Sequence, residues 1–305
     1  MGTHLVRLLK TGAADISVLA STTGESVEPT TAVRFYQVDI RKPDDVRSVV
    51  REVRPAEMYH LAGVSAVDLS WRSPSLTFDV NVVGAYNLFE AAMDLSTPPR
   101  ILNVSTSQVY APSTSALTET SFVRPDNPYA ASKAMAELLS VQYRKAEVGG
   151  IITARSFNHS GPGQQTDFVL PSVAKQFAEI EAGVMPPRLA VGNIEVERDF
   201  ADVRDVVRAY CALIEKGRTG EVYNVCSGSA VRLSDVICKF EEICETKVTV
   251  EADPLRLRPN EVPRIVGDYT KIMKQTGWSP QVSLDKMLRD LLGYWRGTPV
   301  SKGSH

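Results

Sequence analysis

Tyr129 and Lys133 stand four residues apart in the stretch Asn127-Pro-Tyr-Ala-Ala-Ser-Lys133. At the start of a helix that spacing projects both side chains from one face. A free phenol titrates near pH ~10, too high for proton transfer at neutral pH. A neighbouring ammonium favours the phenolate and lowers that value, which makes the tyrosine a usable acid or base. Read alone, the pair is equally a solvated couple on a helix surface. What the rest of the chain places beside it decides between the two.

The surrounding elements alternate. His4 to Lys10 reads as a short amphipathic helix closed by Gly12. Ile16 to Ala20 and Val33 to Val38 read as strands, the second ending at Asp39. Asp44 to Val53 is helical, Glu57 to Leu61 is a buried strand running into Ala62-Gly63, and Leu76 to Met93 is one long helix. Arg100 to Ser105 is a strand, Pro128 to Lys145 a helix and Ile151 to Arg155 a strand. This rhythm predicts an α/β fold with a doubly wound parallel sheet covered on both faces. Ligands bind such sheets at the carboxyl ends of the strands. Asp39, Gly63, Thr106 and the loop from Phe157 all lie at such ends. That convergence draws Tyr129 into a site.

After Phe157 the rhythm changes. A turn-rich loop over 158–163 leads to a helix through Lys175 to about Ala182, and Arg198 to Arg204 leads into a helix ending at Lys216. Glu221 to Cys226 returns to strand, followed by a helix from Leu233 to Cys244 and a short strand. A Pro- and Arg-rich loop from Pro254 to Pro263 and closing helices complete the chain. The expected division is a larger sheet domain over 1–157 with 195–226, and a smaller discontinuous α/β domain over 158–194 with 227–300. The smaller one covers the sheet's ligand edge. Lys302-Gly-Ser-His305 resembles the remnant of an expression tag.

With 305 residues the chain can bury a sizeable core, and its formal charge of −2 is spread without a basic stripe or an acidic tail. Nucleic acid is therefore not an expected partner. No apolar run spans a membrane and no signal-peptide pattern opens the chain. Cys211, Cys226, Cys238 and Cys244 lack Cys-x-x-Cys spacing and sit in apolar patterns. They read as buried, reduced thiols of a cytoplasmic protein, neither metal ligands nor bridges.

Five short motifs now stand in order: His60-Leu-Ala-Gly63, Asn81-Val-Val-Gly84, Ser105-Thr-Ser107, Tyr129 with Lys133, and Arg198-Asp-Phe200. On these the chain resembles the extended short-chain dehydrogenase/reductase family over nearly its whole length. Ser156-Phe-Asn-His159, Gly192-Asn193 and Arg258-Pro-Asn-Glu-Val-Pro263 make it similar to members acting on GDP-mannose derivatives. Among them it looks most like the GDP-4-keto-6-deoxy-D-mannose reductases, which make GDP-D-rhamnose. The resemblance implies a Rossmann-like dinucleotide-binding domain, a sugar-nucleotide domain and an NADPH or NADH cofactor.

The resemblance also implies roles. Tyr129 would donate the proton to the reduced C4 oxygen, Thr106 would hydrogen-bond that oxygen, and Lys133 would hold the nicotinamide ribose. Gly2, Ser21, Asp39, Ile40, Leu61, Ala62, Gly63 and Asn81 would line the cofactor, with Asp39 meeting the adenine. Ser107, Gln108, Asn158 and Lys175 would face the sugar or phosphate. Arg198 and Arg258 would clamp the diphosphate through their planar forks, and Glu261 would accept from the GDP ribose. Taken one at a time, Thr106 is a strand-end hydroxyl, Gly63 a turn glycine, Asn81 a helix-surface amide and each charge a solvated one.

Relatives that dehydrate GDP-mannose carry a second acid two residues beyond the catalytic threonine. Here that position is Gln108, and an amide exchanges no proton at accessible pH. The loop Gly161-Pro-Gly-Gln164 also lacks the paired arginines of the dehydratases. Both departures favour hydride transfer alone. A C4 epimerase would share Thr106, Tyr129 and Lys133, and cofactor exchange separates it from a reductase. A non-catalytic nucleotide sensor is the reading from another class. At the end of the second strand Ala20-Ser-Thr-Thr-Gly24 offers neither the acid that repels a 2′-phosphate nor an arginine, which leans the cofactor towards NADPH.

Gly2 matches the third glycine of the family's phosphate-binding turn. The central strand and first two glycines, about a dozen residues, are expected to be missing. A misassigned start, a shortened expressed form or a natural remnant would each explain that. Weak dinucleotide binding is the expected result, with the flanking strands either unpaired or closing the gap. Family members commonly form homodimers through the helices at 76–93 and 128–145, a four-helix contact expected here too.

Overall fold

Ile101, Leu102, Ile151, Ile152 and Ala154 are each at most 1% exposed, so two adjacent strands are dry on both faces and need helices on each side. The protein, described here from a computed structural model over residues 1–12, 15–20, 33–143, 149–256 and 262–298, supplies them. In chain order α1 (Gly2–Lys10) precedes β1 (Ile16–Ala20), β2 (Val33–Gln37), α2 (Pro43–Val53) and β3 (Glu57–His60). Next come α3 (Val67–Arg72), α4 (Pro74–Phe78), a π-helical turn (Asp79–Val83) and α5 (Gly84–Met93). They lead to β4 (Arg100–Thr106), α6 (Pro128–Val141) and β5 (Gly150–Ser156). The remainder comprises β6 (Asn158–Ser160), α7 (Val169–Glu181), β7 (Arg188–Val191), β8 (Glu197–Asp202), α8 (Val203–Lys216) and β9 (Val222–Val225). It closes with β10 (Ala230–Arg232), α9 (Leu233–Cys244), β11 (Thr249–Ala252), β12 (Arg264–Ile265), α10 (Thr270–Thr276) and α11 (Leu284–Gly297).

The central sheet runs β3-β4-β5-β9, all parallel, with Asn103 of β4 in register with His60 and with Thr153. Ile101 and Ile151 pack on Phe89 of α5 and Ala136 of α6. Leu102, Ile152 and Ala154 pack on Val206, Ala209, Tyr210 and Leu213 of α8. A second core forms where α7, α9 and α11 enclose Phe177, Leu189, Val236, Phe240, Leu288 and Leu291. Its strands are β6, β8, β10 and β12 in one sheet and β7 with β11 in another. Thus β8, on the larger-domain side of the expected boundary, pairs with β6, β10 and β12.

β1 and β2 form their own parallel pair, and among the described residues β1 does not join β3, the unpaired one of the two expected arrangements. Other elements differ from expectation. The single helix expected from Leu76 to Met93 is α4, the π-helical turn and α5 in succession, and α3 precedes them. An extra residue in a helical turn commonly marks a functional position, and this turn carries Asn81. α6 ends at Val141 instead of Lys145. The cysteines are all unpaired, yet only Cys226 and Cys244 are buried. Cys238 lies away from the Val236, Ile237 and Phe240 side of α9 and is exposed.

α6 is fastened to the sheet by polar contacts more than by its modest apolar face. Arg155 of β5 reaches Glu137 of α6 through Nη2 at 2.7 Å and Nε at 3.0 Å, with both side chains below 10% exposed. The guanidinium also lies 4.7 Å over the Tyr110 ring and donates to the Glu119 carbonyl at 3.4 Å. Removing one partner of a buried pair strands the other charge, at a cost of about 3–5 kcal/mol. Glu137→Ala is therefore expected to lose about that much unfolding free energy in urea titration, whereas a loss below about 1 kcal/mol would put the pair in the class of surface bridges.

Candidate active site

The end of β4 and the first two turns of α6 carry three buried side chains. Thr106, Tyr129 and Lys133 are 7%, 9% and 7% exposed. Thr106 begins a short 3₁₀ turn and its hydroxyl accepts from the Gln108 N–H at 3.3 Å. The same hydroxyl lies close enough to the Tyr129 phenol to favour its charged form. Asn127 starts α6 by accepting the Ala130 N–H at 2.8 Å, and Pro128 occupies the first helical position, where its missing N–H costs nothing.

Burial dominates the electrostatics. It raises the Tyr129 phenol above its usual range, and Thr106 pulls it back only in part. The expectation of a phenol lowered by Lys133 is thus corrected: burial raises it, and the opposing influence comes from Thr106. Lys133 is pulled down to about 8, again mainly by burial, with Glu137 opposing. Both shifts follow from one cause, the penalty on the charged form in a dry site. Among the described residues Lys133 Nζ makes no hydrogen bond, although Gly63 leaves it approachable: a Cβ there would lie 3.7 Å from Nζ and 2.9 Å from Asn81 Oδ1.

Asn81 organises the β3 side. Its Oδ1 accepts from Val64 N–H at 2.7 Å, and its Nδ2 donates to Val64 C=O at 3.0 Å and to Ser132 Oγ at 2.8 Å. Ser132 in turn donates to the Tyr129 carbonyl at 2.7 Å. One buried amide thus joins the loop after β3 to the first turn of α6. Asn81 is 1% exposed, so it is not a helix-surface amide. Leu61 packs against the α8-side core, while Ala62 and Gly63 present exposed backbone beside Lys133.

The other sequence-selected residues are dispersed around this centre. Gly2 opens α1, and a Cβ added there would lie 4.0 Å from Leu61 Cδ1. Asp39 is taken by Arg41, whose Nη2 and Nε lie at 2.6 and 2.9 Å, and this holds its carboxyl down at about 2. Ile40 packs tightly under Gly84 and gives its carbonyl to Asn87. Ser107 is buried with no partner for its hydroxyl among the described residues, and Gln108 is half-buried. Asn158 lies on β6 opposite Phe200 of β8. Arg198 is half-buried and donates to the Glu197 and Pro263 carbonyls. Lys175 pairs with Glu179 one turn along α7 at 3.4 Å, which makes it a helix-surface cation. Ser21, Arg258 and Glu261 lie outside the described residues.

Sequence reasoning missed two positioning residues. Asp199, 1% exposed, accepts from Ser227 N–H and Oγ–H at 2.7 and 2.6 Å, from Gly228 N–H at 3.0 Å and from Gly267 N–H at 3.1 Å. It joins β8 to the loops after β9 and β12. Asn127 was read only as flanking sequence, although Asn-Pro before a helix is a capping signature.

Comparison with known proteins places this geometry in context. A Pseudomonas aeruginosa GDP-6-deoxy-D-mannose reductase is 36% identical over 263 residues, covering 85% of this chain and 86% of that protein. GDP-mannose 4,6 dehydratase 2 of Arabidopsis thaliana is 27% identical over 263 residues, covering 84% and 70%. The structure of RMD from Pseudomonas aeruginosa complexed with NADPH superimposes with a TM-score of 0.82 at 31% identity, covering 93% of this chain and 99% of that one. The family described as GDP-mannose 4,6 dehydratase matches residues 2–291. With its parallel sheet, strand-end threonine and Tyr129/Lys133 pair, this chain belongs to that family of extended short-chain dehydrogenase/reductases.

Proposed function

We propose that the protein reduces the 4-keto group of GDP-4-keto-6-deoxy-D-mannose to give GDP-D-rhamnose, using NADPH or NADH. The observation that carries this reading is the trio at the end of β4. Thr106 and Tyr129 come together there, the backbone N–H of Gln108 bonds to Thr106, and position 108 holds an amide instead of a carboxylate that could remove a C5 proton. The similarity to a GDP-6-deoxy-D-mannose reductase points the same way.

The residues on the β3 side suit a nicotinamide cofactor. Lys133 offers an ammonium with no hydrogen bond among the described residues, and Ala62-Gly63 lets a ribose come up to it. Gly2, at the positive end of α1, suits a pyrophosphate. When bound, the cofactor supplies the hydride to C4 of the sugar. Tyr129 then donates its proton to the C4 oxygen, and Thr106 holds that oxygen and orients the phenol. A phenol raised by burial stays protonated through the neutral range, the form a proton donor needs. Asn158 and Arg198, with Arg258 and Glu261, are the proposed holders of the GDP-sugar, and Ser107 and Gln108 face the sugar. Asp39 supports the adenine end through its backbone and its ion pair with Arg41, together with Ile40 and Ser21.

We also propose a homodimer. Leu138 is 70% exposed, and Val83, Tyr86, Met135 and Val141 are 40–44% exposed along the π-helical turn, α5 and α6. Such an uncovered apolar face suits a second copy packing helix to helix.

Tyr129→Phe is expected to lower kcat by about 10²–10⁴-fold while GDP binding by calorimetry stays within about twofold of wild type; retained turnover would refute the role given to the phenol. Lys133 acts as the ammonium, and its proton leaves as pH rises through about 8. kcat/KM should therefore be level near pH 7 and fall by about tenfold per unit well above 8, and a profile still level at pH 10 would contradict that role. In sedimentation experiments Leu138→Asp should turn a dimer into a monomer, and an unchanged oligomer would place the contact elsewhere.

A further inference from the structure

Two neighbouring amides at the mouth of the site have their orientations set by a chain of hydrogen bonds. Asn127 Oδ1 accepts from the Ala130 N–H at 2.8 Å as the cap of α6. That commits its Nδ2 to the other side, where it donates to Asp126 Oδ1 at 2.9 Å and to Gln108 Oε1 at 3.3 Å. An amide nitrogen carries only donors, so Gln108 has to meet Asn127 with its oxygen. Its Nε2 is turned away from Asn127 and has no acceptor among the described residues. The Gln108 backbone is fixed as well, since its N–H bonds to Thr106 Oγ1 at 3.3 Å.

We infer that Asn127 is a positioning residue that locks Gln108 as a hydrogen-bond donor towards the sugar, next to the carbon that Thr106 and Tyr129 serve. The group it receives is an acceptor oxygen of the hexose, a hydroxyl or the ring oxygen. Gln108 is then more than an acid that has been lost: it is a donor held one way round by the helix cap. This rests on the proposed sugar-nucleotide reading and adds to it a specificity element outside the reacting trio.

The substitution Asn127→Asp tests the inference without removing the cap, because Asp caps helices as well as Asn does. It replaces the donor facing Gln108 by an acceptor, so the Gln108 amide turns over and offers its oxygen to the sugar. Binding of GDP-mannose, measured by calorimetry, is expected to weaken about tenfold, while binding of GDP, which lacks the sugar, stays unchanged. Asn127→Ser keeps a neutral cap and removes the anchor, and should weaken GDP-mannose about threefold. In a Gln108→Ala background Asn127→Asp should cost nothing further, since its effect passes through Gln108. If wild type binds neither GDP nor GDP-mannose, the sugar-nucleotide reading falls and this inference with it. If wild type binds both, and Asn127→Asp is either silent or equally damaging without Gln108, the inference alone is overturned.

Discussion

The buried pair between Arg155 and Glu137 is the contact on which the site's geometry rests. A parallel sheet brings its strand ends to one side but leaves open how a covering helix is rotated and slid along it. Glu137 lies one turn from Lys133, which lies one turn from Tyr129. Fixing Glu137 over β5 therefore sets the rotation of the whole helical stripe. The Thr153 and Ser140 hydroxyls, 3.3 Å apart, repeat the contact one turn further on. α6 has a polar underside where most sheet-covering helices are greasy, and directional bonds replace the non-directional grip of apolar packing. The cost of burying those groups is offset by an alignment that apolar contacts alone would leave loose.

The same dryness governs the reacting groups. A phenol pushed up and an ammonium pulled down are both driven towards neutrality. The outcome suits a chemistry in which a proton moves to an oxygen as negative charge develops there. Thr106, fixed at the strand end, opposes the phenol's upward shift, and Glu137 opposes the ammonium's downward one. Glu137 thus has two roles, the packing of α6 and the charge state of Lys133.

Much of this was legible in the sequence. The alternation of strands and helices follows from local apolar patterning, so the central sheet and most helices fall where expected. Tyr129, Lys133 and Thr106 meet because strand ends and helix starts in such a fold share one side. The π-helical turn was not legible, since apolar periodicity through 76–93 reads as one uninterrupted helix. Nor was the sign of the Tyr129 shift, because spacing reveals a neighbouring charge but not how much water surrounds it. Gln108 was expected to face the sugar, but which way round its amide sits was not legible, because that depends on Asn127, nineteen residues away in sequence.

The π-helical turn constrains how this chain can change in length. A π turn holds one residue more than an α turn, so deleting one residue between Asp79 and Val83 would return it to α geometry and leave α4 and α5 close to their present phase, at the expense of the turn that carries Asn81. Asn81 could then no longer face both Val64 and Ser132. An insertion into a turn already expanded by one residue would instead rotate α4 against α5 by about 100°. Variation in length is usually absorbed in loops, and here it is barred from a stretch of helix instead. The spacing between Asn81 and Gly84 is therefore as much a part of the site as the identity of either residue.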